Sequence, residues 1–217
     1  MHLVFEQIRT GGDRNFAYLL GDRAAGECIL IDPSFSPEAC VQRAQEQNLK
    51  VTCIVNTHGH HDHINGNAKA AELTHAPVAA HPDCPALPDI RLQDEQELSV
   101  GTLKIKAYYT PGHCDDHIVF YEQGYRLLIS GDLLFVGKVG GTKTETDART
   151  EWNSLLRIQE LIPEAATIWP GHDYGVRPSS TMAMERKSNP FLLCADPAAF
   201  IRLKDDWPIY KKMHGLK

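Results

Sequence analysis

Asn56-Thr57-His58-Gly59-His60-His61-Asp62-His63 is the stretch on which the fold turns. Imidazole nitrogens and carboxylate oxygens are the ligands that divalent zinc and iron prefer. His58, His60, Asp62 and His63 can converge only where the backbone bends sharply, and Gly59 is placed to help that bend. The preceding residues 51–55 are a short apolar run with β-branched members, the pattern of a buried strand, so the cluster begins in a loop at a strand's end. His58 and His60 can face one ion while Asp62 and His63 face a neighbour, and ligands from distant loops would complete a two-metal site. The stretch is not low-complexity, which separates it from incidental His-rich tracts.

Outward from this octet, strands that end in polar loops recur. Upstream, residues 3–8, 16–21 and 28–31 read as strands, and Pro37 opens a helix to about residue 47. Downstream, residues 67–73 predict a short helix, 78–80 a strand and 82–88 a loop. Residues 103–109, 118–121, 126–130 and 167–169 predict strands; those at 103–109, 126–130 and 167–169 lead into His113, Asp132 and His172. Thr150 is the expected N-cap of a helix whose Trp152, Leu155, Leu156 and Ile162 share a face. From Ser180 on, helices broken at Pro190, Pro197 and Pro208 are expected. The whole is a mixed α/β layer structure.

A chain of 217 residues can bury one sizeable core, so residues 1–217 are expected to form a single domain with a short helical extension from about 180. The net charge of −6, without clustered Lys and Arg, argues against a nucleic-acid partner. No apolar run is long enough to span a bilayer, and Met1-His2-Leu3-Val4-Phe5-Glu6 lacks the basic-then-apolar pattern of a secretory signal, so the cytoplasm is the expected location. The six cysteines form no C-x-x-C pair and read as reduced thiols, with Cys114 pointing away from the neighbouring ligand.

His58-Gly59-His60-His61-Asp62-His63 matches the H-x-H-x-D-H signature of the metallo-β-lactamase superfamily, and the chain resembles that family over nearly its whole length. Thr110-Pro111-Gly112-His113, Ser130-Gly131-Asp132 and Pro170-Gly171-His172 resemble the remaining metal loops of its glyoxalase II-like branch. The resemblance implies a four-layer αβ/βα sandwich with metals at the mouth between two sheets. It further implies that His58, His60 and His113 hold one metal, that Asp62, His63 and His172 hold the other, and that Asp132 bridges them. Two zinc ions would then share a hydroxide oriented by Asp62. Tyr174 and Lys143 are candidate substrate contacts, and His117 stands where relatives carry a histidine that orients a ligand. Ser180, Thr181, Glu185, Arg186, Asn189 and Pro190 resemble a closing segment of compact relatives, for which an internal ion pair or a helix stop would also account.

The leading expectation is hydrolysis of a small thioester, of the hydroxyacylglutathione kind, whose thiolate leaves without strong acid assistance. The rival is a persulfide dioxygenase oxidising glutathione persulfide to sulfite, using one Fe2+ on His58, His113 and Asp132. Tyr18-Leu19-Leu20-Gly21-Asp22, Ile29-Leu30-Ile31-Asp32-Pro33 and His172-Asp173-Tyr174 resemble that group, and a lactone is a further, weaker substrate class. Both groups carry a G-R-x-D segment after the bridging aspartate, whereas this chain reads Val139-Gly140-Gly141-Thr142-Lys143-Thr144-Glu145-Thr146-Asp147, without the arginine. Lys143 lacks the planar fork that grips a carboxylate. A homodimer is compatible with this size, although no segment specifies an interface.

Overall fold

The computed structural model describes residues 2–215; Met1, Leu216 and Lys217, which the single-domain and N-terminal readings included, lie outside the described residues. The chain runs β1 (Leu3–Gly11), β2 (Asn15–Asp22), β3 (Glu27–Ile31), α1 (Pro37–Glu46), β4 (Lys50–Val55), α2 (His61–Ile64), α3 (Asn67–Thr74), β5 (Val78–Ala80), β6 (Ile90–Arg91) and β7 (Glu97–Val100). It continues through β8 (Leu103–Tyr109), β9 (Ile118–Glu122), β10 (Leu127–Gly131), β11 (Leu134–Phe135), β12 (Lys138–Val139), α4 (Glu145–Leu161), β13 (Thr167–Pro170), β14 (Ser180–Thr181), α5 (Met182–Ser188), α6 (Pro197–Asp205) and α7 (Trp207–Met213).

One sheet has the order β1-β2-β3-β4-β5-β6 and the other β14-β13-β10-β9-β8-β7, with β11 and β12 forming a small hairpin. Strand alternation feeds different cores from one strand. Phe16, Tyr18 and Leu20 of β2 join Ile118, Phe120 and Ile129 between the sheets, while Ala17 and Leu19 pack with Cys40, Val41 and Ala44 of α1 and Ala70 of α3. Likewise Val119 and Leu128 face Leu155 and Ile158 of α4 and Phe200 of α6. Three apolar interfaces therefore separate four layers, the αβ/βα sandwich.

Strand direction places the site. β8 and β10 each run antiparallel to β9, and β13 runs parallel to β10, so the three end at the same edge of their sheet. In the other sheet β1 and β4 run the same way as β3. The residues after β4, β8, β10 and β13 carry His58, His113, Asp132 and His172 to that mouth, and the β1–β2 turn joins them there.

Two expectations are corrected. Thr150 does not cap α4: its hydroxyl bonds back to Thr146 O inside the helix, which starts at Glu145. Thr144 is the cap, its Oγ1 accepting from Asp147 N at 3.1 Å while the Asp147 carboxylate accepts from Thr144 N at 2.9 Å, a capping box legible as Thr144-x-x-Asp147. Nor does Leu156 share the buried face, being 41% exposed; Ala148, Glu151, Ser154, Leu155 and Ile158 are the buried positions. Pro197 and Pro208 stand in the first turns of α6 and α7, where a missing amide is no loss, so these prolines open helices as well as ending the preceding segment. The strands β6, β7, β11, β12 and β14 went unread because each is only two to four residues long. Among the described residues no helix is long and apolar enough to cross a membrane.

At the edge away from the site, buried Asp22 at the end of β2 clamps the β7–β8 turn. Its Oδ2 accepts from Thr102 N at 2.8 Å and Thr102 Oγ1 at 2.6 Å, and Oδ1 accepts from Ala24 N at 2.9 Å. The Thr102 hydroxyl and amide hold this carboxyl down at about 2, against about 3.9 in an unfolded chain. A depressed folded pKa gives stability that is full above the unfolded value and lost as pH falls through the folded one. The stability difference between wild type and Asp22→Asn, measured by urea unfolding, is therefore expected to shrink as pH drops from about 5 to about 2. A difference that is constant across that window would remove the clamp from the account.

Candidate metal centre

β4 delivers His58 into a loop, and α2 then turns Asp62 and His63 inward while leaving His61 exposed. His58 Nε2 and His113 Nε2 each lie 2.9 Å from His60 Nδ1. His63 Nε2 lies 3.2 Å from His172 Nε2, and Asp62 Oδ2 is 3.5 Å from His172 Nε2 and 3.8 Å from His63 Nε2. Asp132 stands between these groups: Oδ1 is 3.5 Å from His63 Nε2, and Oδ2 is 3.3 Å from His172 Nε2 and 3.6 Å from His113 Nε2. The donors fall into the sets His58, His60, His113 and Asp62, His63, His172, with His58, His63 and Asp132 linking them.

The rings are held from behind. Thr57 Oγ1 meets His58 Nδ1 at 3.0 Å, Gly141 O meets His113 Nδ1 at 2.7 Å, and Asp13 O meets His172 Nδ1 at 2.9 Å. Asp32 Oδ2 lies 3.0 Å from His63 Nδ1 and also accepts from Thr57 Oγ1 at 2.6 Å, while its Oδ1 accepts from Thr57 N at 2.9 Å. Asn15 Nδ2 donates to the Asp62 main-chain oxygen and to Oδ2, both at 3.0 Å. Fixing the far nitrogen of an imidazole sets its tautomer and aims the near one. Sequence reasoning read Asp32 only as part of a strand end and missed Asp13, Asn15 and Thr57; for Asn15 and Thr57 a polar residue buried at a strand end was the available signal.

Burial opposes a charge on His63, but the Asp132, Asp32 and Asp62 carboxylates override it and lift the ring to about 9. Burial likewise opposes the Asp132 carboxylate, yet His63, His172 and His113 hold it well below the usual range. His58, buried and surrounded by other imidazoles, is pushed well down. The carboxylates thus call for positive charge where some imidazoles resist a proton, a conflict that cations resolve. Asp132 Oδ1 is buried with no hydrogen-bond partner among the described residues. The nitrogen separations are close to the roughly 3.3 Å between two ligands on one tetrahedral zinc. On these grounds the donors fit metal ions.

Space is tight enough to dictate glycine. A Cβ on Gly171 would lie 2.3 Å from Asp132 Oδ1. At Gly59 it would lie 2.2 Å from Pro85 Cδ and 2.7 Å from Asp116 Oδ2. Close approach of Pro85 and Asp116, rather than a positive φ, is what Gly59 permits.

A family model described as the metallo-beta-lactamase superfamily matches residues 10–83 and 85–172. The chain belongs to the metallo-beta-lactamase superfamily. A hydroxyacylglutathione hydrolase of Polaromonas sp. (strain JS666 / ATCC BAA-500) is 28% identical to it, with 95% of this chain and 92% of the relative covered. One from Francisella tularensis subsp. novicida (strain U112) is 35% identical over 74% of this chain, which spans 64% of that relative's length. The crystal structure of ETHE1 from Myxococcus xanthus superposes with a TM-score of 0.87 at 29% identity, covering 94% of this chain and 91% of the other. A di-iron-bound form of TTHA1623 superposes with a TM-score of 0.72 at 28% identity, covering 86% and 100%. This metallo-beta-lactamase-fold chain falls in the glyoxalase II-like branch, as a metal-dependent enzyme with His and Asp metal-binding groups.

The other singled-out residues of this superfamily member are placed as follows. His117 is buried; its Nε2 accepts from Asp132 N at 3.1 Å and its Nδ1 meets Thr110 Oγ1 at 2.9 Å, so it fixes the main chain at Asp132. Tyr174 stacks on His172, with centroids 4.6 Å apart, and donates its hydroxyl to Asp13 Oδ2 at 2.6 Å. Lys143 is exposed on the rim of a cavity of about 440 Å³ that opens on His60 and His113 and is otherwise lined by Asp83, Pro85, Cys114, Asp115, Asp116 and Asp147. Cys114 therefore does face the cavity, correcting the expectation that it points away; the turn after His113 is too short to carry it clear. All six cysteines are free. Among the described residues Glu185 forms no ion pair: its Oε2 accepts from Gly137 N at 2.8 Å and Asn189 Nδ2 at 3.0 Å, bracing the β11–β12 hairpin, and Asn189 ends α5.

Asp32 is the shared anchor of His63 and, through Thr57, of His58. Asp32→Asn is expected to weaken zinc binding by about 10–100-fold in chelator competition, with the far-ultraviolet spectrum preserved. Unchanged affinity would show that the rings are held by packing alone.

Proposed function

We propose that this chain hydrolyses a small thioester of the hydroxyacylglutathione kind with two zinc ions. His58, His60 and His113 would hold one, Asp62, His63 and His172 the other, with Asp132 between them. The observation that carries this reading is that the second donor group is as fully built as the first, with Asp32, Asp13 and Asn15 each committed to one of its members.

Divalent ions held at these positions would lower the pKa of water and polarise a carbonyl oxygen. The chain's own residues would position the reactants and take up a proton. Asp62, with its side chain 36% exposed, is open to solvent and pinned by Asn15, so it can accept the proton of an attacking water at a carboxylate oxygen. The phenol stacked on His172 is committed to Asp13, and Tyr174 is pushed up by burial and by that partner, so it is a poor acid for a leaving group. A thiolate, with a parent pKa of about 8.5, departs without one. On the cavity rim Lys143 suits a carboxylate and Asp83, Asp115, Asp116 and Asp147 suit an ammonium group, and a glutathione-derived substrate has both. Relatives bearing the name hydroxyacylglutathione hydrolase support the same substrate class.

The second reading, a persulfide dioxygenase with one iron on His58, His113 and Asp132, is favoured by the superposition on ETHE1. Metal content and one variant separate them. Purified from cells given both metals, the protein is expected to hold about two zinc ions, or a mixed pair, per chain. Asp62→Asn is expected to lower thioester kcat by about 10²- to 10⁴-fold. About one iron, with oxygen uptake on glutathione persulfide that survives Asp62→Asn, would overturn the hydrolase reading.

A further inference from the structure

Glu151 is the one fully buried carboxylate of α4, and nothing in the proposed chemistry uses it. Its Oε2 lies 2.5 Å from Nζ of Lys204 on α6, a side chain only 11% exposed, and Oε1 has no hydrogen-bond partner among the described residues. Burial pushes the Glu151 carboxyl up to about 8, with Lys204 pulling it back. A buried pair of this kind adds little over a well-packed apolar pair, and its best-attested use is to fix a register.

What surrounds the pair shows what it could fix. Lys204 Nζ also donates to Gly140 O at 2.6 Å, and the next carbonyl, Gly141 O, holds His113 Nδ1 at 2.7 Å. A Cβ on Gly140 would lie 2.2 Å from Asp132 O, 2.8 Å from His113 Nδ1 and 3.1 Å from Glu151 Oε1, so the peptide is threaded between two ligand residues and this carboxylate. On the other side, a Cβ on Gly112, next to His113, would lie 2.4 Å from the Glu151 backbone, and Ser154 Oγ donates to Pro111 O at 2.7 Å. Gly140 and Gly141 have no side chains with which to hold their own loop. The cation that reaches this loop comes from α6, far along the chain.

We propose that Lys204, seated on Glu151, is a positioning residue that clamps the Gly140–Gly141 loop and thereby aims His113 into the His58, His60, His113 metal group. The C-terminal extension is thus part of the metal centre's framework. The inference rests on that metal group alone and holds whether the substrate is a thioester or a persulfide.

The test uses the full chain loaded with Co2+, whose visible spectrum reports ligand geometry, alongside zinc competition with a chelator and thermal unfolding of the metal-free protein. Two variants are compared with wild type: Lys204→Met, and the double variant Glu151→Leu with Lys204→Met. The double variant replaces the pair with apolar groups and is expected to keep the metal-free Tm near wild type. Both are expected to lose about 10-fold or more in affinity for the first metal equivalent and to alter the cobalt spectrum; Lys204→Arg is expected to restore part of each. A double variant with wild-type affinity and spectrum overturns the proposal, as does one whose loss of affinity merely tracks a loss of Tm. A wild-type chain that takes up no metal overturns the metal-centre reading and this one together.

Discussion

Seven donor side chains that would each prefer water or a proton of their own are forced within a few ångströms of one another, and every layer of the protein contributes to keeping them there. The restraint lies in the atoms facing away from the centre. His58, His63, His113 and His172 each present one nitrogen inward because the other is occupied by Thr57, Asp32, Gly141 and Asp13 respectively. Asp32 is the most connected of these partners, touching Thr57 and Asn56 as well as His63, and it occupies a φ of 50° at the exit of β3. Aspartate tolerates that left-handed region better than most L-residues, and its carboxylate is tied on both oxygens.

The double-sheet architecture converts this local demand into a geometric solution. Because β8, β10 and β13 finish at one edge, each contributes its ligand with a short loop and no long excursion. Alternation within the strands lets the interiors of both sheets be filled while their ends stay polar. His58, Asp132 and His172, after β4, β10 and β13, are buried and His113, after β8, is half-buried, a setting that apolar packing alone would reject for such groups.

The candidate donors were legible in the sequence because metal-binding chemistry is carried by residue type and spacing, and all seven lie in short motifs that follow readable strands. Less was legible where function passes through the backbone. Asp13 and Gly141 act by carbonyl oxygens, which any residue supplies, so composition holds no trace of them. Glu151 was hidden for a different reason: helical periodicity marks apolar residues as buried, and a carboxylate on the inner face of α4 breaks that pattern. The start of α4 was misplaced because Thr150 precedes the apolar run, whereas Thr144 caps a first turn made of polar residues.

The β1–β2 turn reaches the last ligand loop across most of the chain. Asp13 O meets His172 Nδ1, and Arg14 O accepts from Asp173 N at 2.9 Å, contacts that close a loop of 159 residues. The cost of closing so large a loop grows only slowly with its length, so distance along the chain is no obstacle once synthesis is complete. During synthesis it imposes an order. A growing chain that has emerged only through α4 already contains His58, His60 and His113, but it cannot assemble the group that needs His172 until β13 has added to β10. The Asp62, His63 and His172 donors consequently cannot come together before the final sheet has formed.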